Sequence, residues 1–348
     1  MSLLDKLPTD TPERKMAVDN CIFLFLTGSH LYGTNTPASD KDYEGVFIED
    51  PDYVIGSKRI DEVDFSTKSS AKNERNTKDD IDCKFYSLRK FIELAKLNNP
   101  NKIEWFFVPE RNINTIHAAY WYQITRAKDL FLSLKLKHSF TGYAFSQKSK
   151  LITKKQRLDA LREFKDLLET GINNGAKIIG DIFPLISNDF KSDRIIPFLK
   201  LSPQKSVDEN ESECISVDNR NYNWGFDVKK ILENITNEIN RYGSRTANLD
   251  TMAYDCKFAS HIFRLYYEGL SLLKEGNIHY PLIENQFILD VKTGKYSLDE
   301  VLAKAESIEP LFEMAYINSK LRHAPDVNAI SDLLKSIYLD YWKGKNLI

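Results

Sequence analysis

Residues 21–48 read CIFLFLTGSHLYGTNTPASDKDYEGVFI, and the rest of the chain is placed by reference to them. The apolar run 21–26 has the length and composition of a buried strand. It ends at Thr27-Gly28-Ser29. Gly28 has no Cβ, so the backbone there can turn sharply and approach a ligand closely. Ser29 brings a hydroxyl and a backbone N–H to the start of a short helix, which suits a phosphate. Gly33, Asn35, Pro37 and Ser39 are turn residues. Asp40-Lys41-Asp42 then leads into a second strand over 43–48. In an extended chain, residues two apart share a face, so Asp40 and Asp42 are expected to point the same way. Two carboxylates on one face repel each other unless a cation lies between them. Mg²⁺, or Mn²⁺, suits such a pair, because these ions take carboxylates together with phosphate oxygens. The plain alternative is a loop whose aspartates serve as caps and turns.

Apolar alternation returns at 81–86, IDCKFY. Ile81, Cys83 and Phe85 would face a core, with Asp82, Lys84 and Tyr86 on the other side. If this strand lies beside the one that carries Asp42, Asp82 becomes a third carboxylate at the same cation. Asp80 has the same parity and competes for that place; the plain alternative is an exposed aspartate on an ordinary strand. Between the two strands, 61–80 is polar and reads as a long loop or an exposed hairpin. Ser87 can cap a helix over 88–97, with Leu88, Phe91, Ile92 and Ala95 buried. The segment IEWFFV at 103–108 fits either a buried strand or a short helix.

The 348 residues suffice for a sizeable core and two domains, and these are placed at 1–114 and 115–348. A formal net charge of −2 supplies no global field toward nucleic acid or a membrane. No apolar run approaches a membrane span, and the N-terminus has no signal-peptide pattern. Four scattered cysteines fit reduced thiols. Together these features point to a cytoplasmic protein.

Beyond residue 115 helical patterns dominate. Residues 130–158 carry Lys135, Lys137, Lys148, Lys150, Lys154, Lys155 and Arg157 with no acid, interleaved with Phe140, Tyr143 and Phe145. This stretch reads either as a nucleic-acid or triphosphate contact, with Tyr143, Gln147, Lys148 and Lys150 as candidates, or as solvated lysines over core aromatics. Residues 185–225 read as irregular, with a solvated acidic loop. On a helix over 254–275, Lys257, His261, Arg264 and Glu268 fall on one polar stripe, apart from the buried side of Phe258, Ile262, Leu265, Gly269 and Leu272. The stripe is either a phosphate contact or a solvent face with an Arg264–Glu268 ion pair.

Gly28-Ser29, Leu31-Tyr32-Gly33, Ser39-Asp40, Asp42 and Gly45-Val46-Phe47 resemble the nucleotidyltransferase core of the DNA polymerase beta superfamily. More narrowly, the chain resembles the nucleotidyltransferases of bacteria and phages associated with RNA ligases and RNA repair. Gly142-Tyr143-Ala144 with Gln147, the run from Tyr254 through Leu265, and Pro325-Asp326 resemble the helical half of the same family. The resemblance implies an α+β fold: a mixed N-terminal sheet with helices, of polymerase beta palm type, followed by a mainly α-helical C-terminal domain. It implies that Asp40, Asp42 and Asp82 bind the metal ions, that Asp82 helps deprotonate the attacking hydroxyl, and that Gly28 and Ser29 hold the triphosphate. It also favours Lys257, His261 and Arg264 as nucleotide contacts. The expected reaction transfers a nucleotide from a nucleoside triphosphate to an acceptor hydroxyl on an RNA end such as that of tRNA, releasing pyrophosphate. Alternatives are a protein or small-molecule acceptor, or a binding module without turnover.

Overall fold

The computed structural model describes residues 3–37, 39–66, 82–113, 117–148, 154–186, 203–207, 212–218, 220–242 and 254–348. In chain order, α1 (Pro12–Asp19) leads into β1 (Cys21–Leu26), α2 (Ser29–Tyr32) and β2 (Asp42–Phe47). Next come α3 (Pro51–Val54), β3 (Glu62–Asp64), β4 (Asp82–Ser87), α4 (Leu88–Lys96), α5 (Pro100–Ile103), α6 (Ala118–Arg126) and α7 (Leu136–Lys148). Then follow α8 (Lys154–Asn173), α9 (Ile179–Ile182), β5 (Gln204–Val207), β6 (Glu213–Val217), β7 (Arg220–Asn223) and α10 (Val228–Tyr242). The chain closes with α11 (Cys256–Glu275), α12 (Asn285–Lys292), α13 (Leu298–Asn318) and α14 (Val327–Gly344). The class is α+β, as the family resemblance implies. No helix among the described residues is long and apolar enough to cross a membrane.

Packing divides the chain into two compact units. The first comprises Met1–Ala144, Ile262–Asp290 and Ala305–Ile348; the second comprises Phe145–His261 and Val291–Lys304.

The first unit is built on a mixed sheet in the order β1-β2-β4-β3. β1 runs antiparallel to β2, β2 parallel to β4, and β3 antiparallel to β4. β1 is apolar along nearly its whole length because both its faces are covered. At Gly45, opposite Leu24, an added Cβ would stand 2.7 Å from the Phe23 carbonyl oxygen, so only glycine lets these two strands pair this closely. One face of the sheet places Phe47, Cys83 and Phe85 against Met16, Ala17, Leu24, Val63 and Phe65. The other face meets an aromatic layer in which Phe23 stacks on Trp121 at 3.8 Å and Phe91 on Trp105 at 5.3 Å. Each such side chain, fully buried, contributes about 1.5–3 kcal/mol.

Ser87 caps α4 as read from the sequence, its hydroxyl accepting from the Lys90 N–H at 3.2 Å. The ambiguous segment 103–108 is helical, continuing α5 into a 3-10 turn over Glu104–Phe107. The C-terminal helix docks beside β2 through buried polar contacts. Tyr338 donates to the Glu49 carboxylate at 2.7 Å, the Trp342 indole donates to the Glu49 carbonyl at 2.8 Å, and Tyr341 donates to Asn20 at 2.8 Å.

The second unit corrects one expectation. The stretch 185–225 is not simply an irregular solvated loop: β5, β6 and β7 form an antiparallel sheet within it. Ile215 and Val217 of β6 are buried with Leu161, Phe164 and Leu168 of α8 and Ile235 of α10. The alternation Cys214-Ile215-Ser216-Val217 was masked by the charged residues around it. Asp218 turns β6 into β7 at φ +48°, and Arg157 lies 3.4 Å from its carboxylate.

Candidate active site

The sheet brings Asp42 and Asp82 together. They are direct register partners at the heads of the parallel strands β2 and β4. Partners across a parallel ladder point to the same face, and neighbouring strands lie about 4.8 Å apart. The two carboxylates are therefore adjacent, on the face that also carries Glu44 and Lys84, the next pair but one.

The glycine-serine turn closes over this edge. The Thr27 N–H donates to the Asp42 carbonyl at 2.9 Å. Gly28 adopts φ 67°, ψ −142°, a conformation that side chains other than glycine disfavour. A Cβ placed on Gly28 would stand 3.7 Å from Asp42 Oδ2, so the carboxylate reaches up to the turn itself. Ser29, half-buried, opens α2, and its carbonyl accepts from Thr34 N–H at 2.8 Å.

Asp40 lies outside the strand pairing. β2 begins at Asp42, so Asp40 stands ahead of the ladder, exposed, where strand parity does not orient it. Its carbonyl accepts from the ring Nε2 of His30 at 3.1 Å. Among the described residues, no group of three His, Cys, Asp or Glu side chains is gathered closely enough to hold a metal. The rival Asp80 lies outside the described residues. What is gathered, Asp42 and Asp82 with the Ser66 hydroxyl on Asp82, is a set of hard oxygen donors of the kind that fits Mg²⁺ or Mn²⁺.

Two partners of this edge were not found by sequence reasoning. Ser66 Oγ donates to Asp82 Oδ1 at 2.9 Å. Lys102 Nζ lies 3.1 Å from Glu44 Oε1 and 3.7 Å from the centroids of Tyr86 and Trp105. Burial lowers the Lys102 pKa and Glu44 works against that shift. Glu44 shares parity with Asp42, a usable sequence signal; neither Ser66 nor Lys102 carried one.

The polar stripe of α11 also requires correction. Arg264 and Glu268 are not solvent-facing but buried, at 6% and 0% exposure. Arg264 Nη1 lies 2.6 Å from Glu104 Oε2 and 3.3 Å from Glu268 Oε2, and it donates to the Tyr32 hydroxyl at 3.0 Å. Its Nη2 donates to Asn101 Oδ1 at 2.9 Å. These donors are taken up inside the first unit, so Arg264 does not present them to a triphosphate. Lys257 is exposed and His261 half-buried, and both belong to the second unit.

The basic stretch is partly structural. Phe140 is fully buried, Lys137 pairs with Glu313 at 2.7 Å, and the exposed Tyr143 hydroxyl accepts from Asn99 at 3.0 Å. The side chains of Gln147 and Lys148, and the whole of Lys150, lie outside the described residues.

A 38.9 kDa protein from the nrdC-mobD intergenic region of Enterobacteria phage T4, itself described as uncharacterized, is 28% identical over 332 residues, covering 90% of this chain and 95% of its own. No solved structure matches. Residues 8–164, which include Gly28, Ser29, Asp40, Asp42 and Asp82, match the RNA repair pathway DNA polymerase beta family, and the family resemblance read from the sequence is thereby borne out.

Proposed function

We propose that the protein is a metal-dependent nucleotidyltransferase acting on an RNA end, such as that of tRNA, with a nucleoside triphosphate as donor. The family match implies a nucleotidyltransferase of polymerase beta type. The observation that carries the chemistry is the register pairing of Asp42 with Asp82 beside the Gly28 turn.

Asp42 and Asp82 would hold Mg²⁺ or Mn²⁺, with Asp40 as the third candidate ligand. When bound, the ion neutralises phosphate charge and favours ionisation of the acceptor hydroxyl. Gly28 and Ser29 hold the triphosphate, the glycine by letting the backbone approach and the serine through its hydroxyl and N–H. The acceptor oxygen bonds to the α-phosphorus, the bond from that phosphorus to the bridging oxygen breaks, and pyrophosphate leaves. Asp82 assists removal of the hydroxyl proton. Lys257, His261, Tyr143, Gln147, Lys148 and Lys150 remain candidates for contacts with the nucleotide or RNA. This reading assigns the protein to the cytoplasm, where its substrates are found.

Incubation with α-labelled nucleoside triphosphates, Mg²⁺ and total RNA tests the reading. Label on RNA, lost in Asp42→Asn and Asp82→Asn, supports it. Label on protein alone replaces RNA with a protein acceptor. Triphosphate binding that survives Asp40→Ala, with no pyrophosphate released by the parent protein, indicates a binding module instead.

A further inference from the structure

The turn proposed to hold the triphosphate has a buried ionic cluster at its far end. Tyr32 closes α2, and its N–H donates to the Gly28 carbonyl at 3.1 Å, so one helical turn links the two positions. The Tyr32 hydroxyl is held from two sides: it accepts from Arg264 Nη1 at 3.0 Å and donates to the Glu104 carboxylate at 3.0 Å. The Arg264 guanidinium carbon also lies 4.8 Å from the centroid of the Tyr32 ring. Glu268 is held in turn by the Tyr280 hydroxyl at 2.9 Å. The backbone is pinned at the same place. Leu282 N–H donates to the Tyr32 carbonyl at 3.2 Å, and a Cβ on Gly33 would stand 2.7 Å from Pro281 Cβ.

All these groups belong to the first unit, although they come from three separate stretches of sequence. A buried arginine with two glutamates is an inefficient way to stabilise a core, since well-packed apolar residues do as well or better. What such a cluster adds is direction. Each donor and acceptor accepts its partner only over a narrow range of angles, and a tyrosine hydroxyl caught between two charges cannot shift without losing one of them.

We propose that Arg264, Glu104 and Tyr32 are positioning residues for the Gly28-Ser29 turn. They fix the C-terminal end of α2, and through its single turn they set the angle at which the turn meets a triphosphate. Arg264 thus serves the nucleotide through α2 rather than by contact. This inference rests on the nucleotidyltransferase reading above.

Tyr32→Phe tests it, because it deletes the hydroxyl and leaves the ring. Tyr338→Phe is the control, since it deletes a comparable buried tyrosine bond, to Glu49, on the C-terminal helix α14. Binding of ATP, GTP, CTP and UTP with Mg²⁺ is measured by calorimetry alongside the Tm. The expected result is a Kd about 3- to 10-fold weaker in Tyr32→Phe, with Kd unchanged in Tyr338→Phe even where Tm falls. Glu104→Gln, which keeps the shape and loses the charge, is expected to weaken binding in the same direction. In turnover, KM should rise with kcat held within about twofold, because the altered element orients the donor rather than the reacting hydroxyl. Equal binding by Tyr32→Phe and the parent, or equal weakening by Tyr338→Phe, overturns the inference and leaves the nucleotidyltransferase reading standing. A parent protein that binds no triphosphate removes both.

Discussion

Asp42 and Asp82 face one another as register partners across two parallel strands, with β3 and the segment leading to β4 lying between them in sequence. Two like charges so placed are costly in the free protein and become favourable around a cation. Asp42→Asn and Asp82→Asn are therefore expected to lower kcat by about 10³-fold, the equivalent of roughly 4 kcal/mol. Without divalent ions each variant should melt at or above the parent temperature. In Mg²⁺ only the parent should gain Tm. Thermal melts with and without EDTA check this, and a loss of Tm in the EDTA-treated variants would contradict it.

Ser66 supplies a hydroxyl to Asp82 Oδ1 at 2.9 Å. Ser66→Ala removes one hydrogen bond from a half-buried position. The expected cost is about 1 kcal/mol in transition-state stabilisation, or roughly fivefold in kcat/KM, with Tm changed by little. Steady-state kinetics beside a melting curve separate the two effects.

Gly28 holds φ 67°, and a Cβ added there would stand 3.7 Å from Asp42 Oδ2. Gly28→Ala forces a side chain into backbone space that costs about 1–3 kcal/mol, and it places a methyl group where the phosphates would approach. The expected result is a lower Tm together with a weaker triphosphate Kd. Gly45→Ala should lower Tm as well, because its Cβ would meet the Phe23 carbonyl oxygen at 2.7 Å.

Lys102 is buried between Glu44 and two aromatic rings. Lys102→Met leaves the Glu44 carboxylate without its ammonium and should cost about 3–5 kcal/mol in unfolding free energy. Lys102→Met combined with Glu44→Gln should recover part of that loss. Denaturant unfolding of the four proteins in the double-mutant cycle measures the coupling; additive losses would show that the pair is not interacting.

Burial pushes the Glu268 carboxyl up to about 8 from an ordinary 4.5, with Arg264 drawing it down and Glu104 adding to the rise. Glu104 is raised by burial in the same cluster. The folded protein therefore keeps a proton that the unfolded chain releases between those two values. The associated stability is complete below about pH 4.5 and is lost as pH climbs through about 8. Tm should fall over this interval, and Glu268→Gln should flatten the fall. A slope unchanged in Glu268→Gln would place the titration elsewhere.

The local elements of the candidate site were legible because their signals are short-range. The apolar run of β1, the glycine turn, and the alternation Cys83-Lys84-Phe85 each lie within a few residues. At Asp40 the same alternation gives no orientation, because β2 begins only at Asp42 and period-two logic stops where the ladder stops. On α11 the polarity of Arg264 and Glu268 suggested solvent, whereas they are bonded to Glu104, Tyr32 and Tyr280, all outside that helix. β5, β6 and β7 were hidden because short strands in a charged context lack a pattern that stands above their surroundings.

By itself the sequence determined which residues could turn, pair and ligate: a bend requiring glycine at residue 28, two strands headed by aspartates, a helix capped by Ser87. Only the tertiary structure decided that β4 lies parallel to β2 with Asp82 opposite Asp42, that Ser66 and Lys102 serve that edge, and that Arg264 is buried beneath Tyr32. The reason is range. Backbone preference and hydrophobic period act between near neighbours in the chain, while strand order and the pairing of buried charges depend on contacts between segments that meet only when the core closes.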